Sequence, residues 1–278
     1  MATARQLRFG AELRKMRESA GLNATEAAQR MGIRQSQISN LEAARFGVSP
    51  ERLRTLADLY GCTDQPYIEA LVGMIGERRR GWWEEYRGIL PDPLLDLAEL
   101  EHHARALRDA ITMHVPGLLQ TVEHAREIFR QAVPALPPPD VEDRVSFRVK
   151  RQRILYEDTP TPYQVIIHEA ALHIAVGGPA IADAQLKHLL DMSDRDHITI
   201  QAIPFSAGAF PGSGQSIYYA HGPVPQLDSV QLDQSHGLVF LDAEPQLAKY
   251  RTLFERLEAV ALNPAQTRDL ISSIVRNR

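Results

Sequence analysis

Apolar residues recur three and four apart through the first 76 positions, the period of amphipathic helices. Phe9, Leu13 and Met16 form one stripe of a helix over 5–19, with Arg8, Arg14, Lys15 and Arg17 around it. Ala27, Ala28 and Met31 share a face of a second helix. Asn23 caps its start, with Glu26 three residues on completing a capping-box pair. Gly32 stops it, because glycine enters the left-handed conformation without steric cost. A third helix begins near Arg34 or Gln35 and turns Ile38 and Leu41 inward. Ser49-Pro50-Glu51 opens a fourth, with Leu53, Leu56, Ala57 and Tyr60 buried and Gly61 at its end. Ile68, Leu71, Val72 and Ile75 mark a fifth over about 66–76.

Beyond that the texture changes twice. Glu77-Arg78-Arg79-Arg80-Gly81 reads as a linker over 77–81, and Trp82-Trp83 opens a second part over 82–278. The pattern predicts a helix from Ala98 to Ile111 with Leu100, Leu107 and Ile111 inward, and another after Val115–Thr121. Ala135 to Asp140 is a proline linker, with Asp140 capping a helix over 141–156 whose Arg144, Arg148 and Arg151 line one side. From Pro160, short β-rich runs appear at Tyr163–Ile167, Ile198–Ile203, Ser216–Tyr219 and Leu238–Leu241. Helices are expected at Pro179–Met192, Ala243–Leu262 and from Asn263 to near Arg276. The fold class is therefore a five-helix helix-turn-helix domain over 1–76 followed by a larger α+β domain with a small mixed or antiparallel sheet.

Charge sharpens the division. The net charge is −4 over 278 residues. Residues 1–76 hold 10 basic and 8 acidic side chains, or +2, and residues 77–278 hold 21 and 27, or −6. A mildly basic first domain grips phosphate modestly, one reason to expect a homodimer. At 44% hydrophobic and 24% charged, the composition is that of a soluble globular protein. No run approaches a membrane span and the N-terminus lacks a signal-peptide apolar core. The single Cys62 excludes an internal disulfide and a cysteine zinc site. These features suit a cytoplasmic protein with no membrane association.

The candidate chemistry lies in Gly21 to Arg45. With Ile38 and Leu41 turned in, Gln35, Ser36, Ser39 and Asn40 turn out. Gln and Asn pair bidentately with an adenine edge, and a serine hydroxyl donates or accepts. A helix with this outer face suits the major groove of double-stranded DNA. The expected DNA-binding set is Arg34, Gln35, Ser36, Gln37, Ser39, Asn40 and Arg45, with Arg34 and Arg45 on phosphate. The stretch Gly21-Leu22-Asn23 to Ser39-Asn40-Leu41-Glu42 resembles the XRE, or phage-repressor-like, helix-turn-helix family over about the first 60 residues. It departs where Ala24 replaces a common phosphate-binding Gln, Ala27 a Leu, Arg34 a Ser or Thr, and Ala44 a Gly.

The second part carries its own motifs in order: Trp82-Trp83-Glu84-x-Tyr86, Val115-Pro116-Gly117-Leu118-Leu119-Gln120-Thr121, Arg148-x-x-Arg151-Gln152-Arg153, His168-Glu169-Ala170-Ala171-Leu172, Gln185-Leu186-x-His188-Leu189 and Ile200 to Phe205. They resemble the C-terminal domain of actinobacterial XRE regulators of the Scr-type antitoxin-like, or WhiJ-like, kind. That resemblance implies a transcription regulator whose C-terminal domain binds a small protein encoded by a neighbouring gene. His168 stands where Asp is frequent. Enzyme readings fail on spacing. His168-Glu169-x-x-x-His173 is one residue too long for two zinc ligands on one helix face. The loop Ser206–Gly214 lacks a dinucleotide fingerprint, and Ser213 lacks a nucleophile elbow. No catalytic residues, metal or cofactor are expected. The alternative is a regulator sensing a small anionic molecule, with the arginine row and the glycine loop lining one pocket.

Overall fold

The structure, a computed structural model, describes residues 2–75, 81–212, 215–234 and 237–278. The expected linker arginines Arg78, Arg79 and Arg80 lie outside the described residues, as does Ser213. Contacts divide the chain into two compact units, Met1–Glu85 with Leu95–Leu100 and Tyr86–Leu94 with Glu101–Arg278.

The first unit is helical. Its helices are α1 (Ala4–Ser19), α2 (Ala24–Arg30), α3 (Gln35–Glu42), α4 (Pro50–Leu59) and α5 (Gln65–Ile75). Leu13, Met16, Ala27, Ala28, Ile38, Leu41, Leu53, Leu56 and Leu71 fill its core. The starts follow the caps read from sequence. Asn23 Oδ1 accepts from the Thr25 and Glu26 amides at 3.0 and 2.9 Å, and Glu26 Oε2 returns to the Asn23 amide at 2.8 Å. Ser49 Oγ accepts from the Arg52 amide at 3.2 Å, with Pro50 in the first turn. Gly10 sets how closely α1 meets the end of α3, since a Cβ there would lie 2.4 Å from the Glu42 carbonyl oxygen. Trp82 and Trp83 sit in a 3₁₀ turn, their rings edge to face at 6.0 Å.

The second unit is built on a mixed six-stranded sheet. In chain order, with Leu95–Leu100 of the first of them counted in the other unit, its elements are α6 (Asp92–His103), β1 (Ala106–Ile111), α7 (Val122–Arg130), α8 (Pro138–Arg151), β2 (Tyr163–His168), α9 (Glu169–His173), α10 (Pro179–Met192), β3 (Ile198–Ile203), β4 (Ile217–His221), β5 (Ser229–Gln234), β6 (Gly237–Leu241), α11 (Glu244–Glu258) and α12 (Pro264–Arg276). The strand order is β3-β2-β1-β4-β5-β6. β1, β2 and β3 run parallel, joined by helical crossovers, and β4, β5 and β6 follow as an antiparallel meander. One face carries Ala110, Ile166, Ile203, Ile217, Tyr219, Val230 and Leu232, packed with Leu247, Tyr250, Phe254 and Leu257 of α11.

Four expectations need correction. The segment Ala98–Ile111 is not one helix. It is the end of α6 and then β1, the strand between β2 and β4. Leu107 and Ile111 are four apart, as on a helix, but partners on both sides make the stretch a strand. β5 was not anticipated, although Val230 and Leu232 alternate with Ser229, Gln231 and Asp233. α8 starts at Pro138, so Asp140 sits in its first turn instead of capping it. α11 closes at Glu258, short of Leu262.

Candidate nucleic-acid interface and the motif cluster behind the sheet

α3 stands between two left-handed turns. Gly32 ends α2 at φ 64°, with the amides of Gly32 and Ile33 bonded back to Gln29 and Ala28. Ala44 ends α3 the same way, its own amide reaching Leu41 and that of Arg45 reaching Asn40. Here the left-handed residue, at φ 55°, is not glycine, so this turn carries the strain of a Cβ near the carbonyl.

With Ile38 and Leu41 buried, the outer face of α3 centres on Ser36 and Asn40, flanked by Gln35 and Ser39. Gln35 Nε2 donates to Ser39 Oγ at 2.8 Å, one turn along. Arg45 Nη1 donates to Asn40 Oδ1 at 3.4 Å, so this guanidinium lies beside the polar face. Five of the seven expected residues are thus together. Arg34 and Gln37, both exposed, stand at the start of the helix. Arg34 occupies the N-cap, and Gln37 Oε1 accepts from its amide at 3.1 Å. Gln37, itself exposed, thereby closes the helix start. Phe46, 61% exposed, follows Arg45 in the same loop.

Arg17 belongs inside, not with the surface arginines of α1. It is 6% exposed. Its Nε and Nη2 donate to both carboxylate oxygens of Glu42 at 2.6 and 3.0 Å, and Nη1 donates to Leu22 O at 2.6 Å. The bidentate pair raises the Arg17 pKa and fixes the C-terminus of α3 on α1. Glu12 is likewise buried, accepting from Tyr67 OH and pairing with Arg8 at 2.9 Å.

In the second unit the sequence motifs meet one another. The turn Val115–Thr121 is held by three glutamines. Gln120 Nε2 donates to Val115 O at 2.7 Å. Gln152 Nε2 donates to Gln120 O at 2.7 Å and Gly117 O at 3.2 Å. Gln185, 1% exposed, donates to Leu119 O at 2.7 Å and accepts from the Thr121 amide at 2.8 Å. Arg148 donates to Gln120 Oε1 and lies 4.4 Å over the Phe129 ring. Two of the arginine row, Arg148 and Arg151, are thus engaged within the unit. Arg151 forms a buried two-bond pair with Glu101, which also accepts from Tyr218 OH at 2.8 Å. Asp109 accepts from Tyr163 OH at 2.6 Å, and burial lifts its carboxyl to about 7. Burial, with the Arg148 charge nearby, lowers His124 to about 4. Only the recurrence of Gln inside separate motifs hinted at this cluster. Its pairs span up to 117 residues of sequence.

Two family models match the chain. One is described as Helix-turn-helix domain and matches residues 8–71. The other is described as Domain of unknown function (DUF5753) and matches residues 94–273. The chain belongs to the DUF5753 family. No curated protein and no solved structure matches it. A helix-turn-helix domain followed by an α+β DUF5753 domain is the architecture of a DNA-binding regulator of the XRE-like kind.

The remaining candidate sites separate. Among the described residues, Phe210 to Gly212 of the glycine loop and Arg151 of the arginine row lie on opposite sides of the sheet. Phe210, Pro211 and Gly212 border a small apolar hollow with Ala110, Ile166, Ile203 and Ile217, on the α11 side of the sheet. Arg151 and Glu101 meet Tyr218, whose register partner is Asp109, on the opposite side. His168 Nδ1 accepts from the Ala170 amide at 3.1 Å and starts α9. His173 lies 3.4 Å from Glu169, whose other oxygen accepts from the Phe205 amide. Among the described residues no three His, Cys, Asp or Glu side chains gather as metal ligands, and no helix is long and apolar enough to cross a membrane.

Proposed function

We propose that this DNA-binding regulator reads a specific operator as a homodimer and that its DUF5753 domain, non-catalytic, binds a small protein partner in the manner of the Scr-type or WhiJ-like antitoxin-like regulators it resembles. The observation that carries the DNA reading is the outer face of α3. Uncharged amides and hydroxyls at Gln35, Ser36, Ser39 and Asn40 suit base edges, and Arg45 beside them suits phosphate. Dimerisation is supported by charge, because +2 on residues 1–76 is a weak grip for one copy. The non-catalytic reading is supported by what the buried polar groups of the second unit do. Glu101, Arg151, Asp109, Tyr163 and Gln185 pair with one another or with backbone.

A gel-shift titration against the gene's own upstream region tests the operator reading. Gln35→Ala with Asn40→Ala should cost roughly 1–3 kcal/mol for each base contact and relax specificity. Unchanged affinity and specificity would remove α3 as the reading element. Co-expression with the neighbouring gene's product tests the partner. A complex that survives size exclusion supports it, and separate elution counts against it.

A further inference from the structure

The two edges of the sheet are finished differently. At β3 the outer backbone is taken up at Ala202. The Ala202 amide donates to Thr267 Oγ1 at 2.9 Å, and its carbonyl accepts from the Leu262 amide at 2.8 Å. Both partners come from the connection into α12 and its first turn. At β6, among the described residues, nothing hydrogen-bonds to the side away from β5. In an antiparallel strand every second residue turns its N–H and C=O outward. The strand reads Gly237-Leu238-Val239-Phe240-Leu241, with no charge and no proline, and its last four residues are only half-buried. Edge strands normally protect themselves with lysine, proline or a bulge.

We propose that β6 is the surface through which two copies of this chain associate, antiparallel, so that two sheets become one. This deepens the homodimer reading above and rests on it. The strand is complementary to itself. A two-fold axis through Val239 sets Val239 opposite its own copy, Leu238 opposite the second copy's Phe240, and Gly237 opposite the second copy's Leu241. Directly opposed residues share a face, so every pair is apolar and no like charges meet. The arrangement is isologous and closes at two copies.

The test uses the full chain. Light scattering should give about twice 31.1 kDa for the unmodified protein. Val239→Lys would oppose two ammonium groups at the axis. It should shift the dimer to monomer, with at least tenfold weaker association and unchanged circular dichroism. In a Cys62→Ser background, Val239→Cys should form a disulfide-linked dimer on oxidation, because directly opposed Cα atoms lie about 4.5–5.5 Å apart. Leu241→Cys should not. The crosslink decides the matter even if the lysine variant misfolds. A monomeric unmodified chain, a dimer that survives Val239→Lys, or crosslinking at Leu241 without Val239 would overturn the proposal. So would a complex with the neighbouring gene's product that needs this edge while the chain alone stays monomeric. A dimer insensitive to Val239→Lys would leave the homodimer reading standing. A monomer that still shifts its operator would leave the DNA reading standing and remove both dimer claims.

Discussion

The two units use their motif residues in opposite ways. In the helical unit the polar positions of the motif, Glu42 apart, face outward. Gln35 bonds to Ser39 and Arg45 to Asn40 along that face, while the packing is done by Ile38, Leu41 and small alanines. In the sheet unit the polar motif residues face inward. Gln120, Gln152 and Gln185 satisfy buried backbone, Arg148 bonds to Gln120, and Arg151 pairs with Glu101. A polar motif is therefore a reading surface in one unit and an internal brace in the other. Burial separates the two, because a buried polar group must be paired within the molecule and an exposed one is free to pair outside it.

The largest expected effect falls on the brace. Arg151→Ala leaves Glu101 buried without its guanidinium partner, which should cost about 3–5 kcal/mol and lower the denaturation midpoint of the sheet unit. Joint replacement by Arg151→Met and Glu101→Leu should recover much of that loss. A midpoint unchanged in Arg151→Ala would mean the pair is not the brace described. Next comes pH. Asp109 titrates near 7 when folded and near 3.8 otherwise, so the folded state holds its proton more tightly. Its contribution is present below 3.8 and is lost as pH rises through 7. His124, lowered from 6.5 to about 4, runs the other way, and its contribution is lost as pH falls through that window. Asp109→Asn should leave the His124 slope exposed, so that stability rises between pH 4 and 6.5 by an amount on the order of a few kcal/mol. Urea titrations across that range would sink the assignment if the two proteins gave parallel profiles.

Gln185→Leu is smaller. It strips partners from the Thr121 amide and the Leu119 carbonyl and should cost about 1–3 kcal/mol by chemical denaturation. Its effect on operator affinity should be far below that of the α3 double variant. Equal effects would erase the contrast between brace and reader. The smallest change is Ala44→Gly, which relieves a left-handed alanine and should stabilise the helical unit by up to about 1 kcal/mol in a thermal melt. A loss of stability there would show that the turn holds no strain.

Much of the helical unit was legible in sequence. Asn23, Gly32, Ser49-Pro50 and Gly61 are local signals that act within a few residues, and the helices begin and end where they stand. The same holds for Pro179–Met192 and for Asn263, which caps α12. Arg17 escaped because nothing near it in sequence announces Glu42, 25 residues away. β1 escaped for a related reason. Leu107 and Ile111 have helical spacing, and the deciding partners are Tyr163–Ile167 and Ile217–His221, both more than 50 residues distant.

Local sequence sets the local choices: helix starts, left-handed stops, the polar face of α3 and the change of period after Pro160. These depend on backbone sterics and on hydrogen bonds that close within one or two turns. Tertiary structure alone decided which polar residues are enclosed. It turned Arg148, Arg151 and the three glutamines into an internal frame and put the glycine loop on the other side of the sheet. It covered the β3 edge at Ala202 and, among the described residues, left the β6 edge open. Those outcomes depend on pairings between distant segments, and the cost of burying a polar group is set by whether its distant partner arrives.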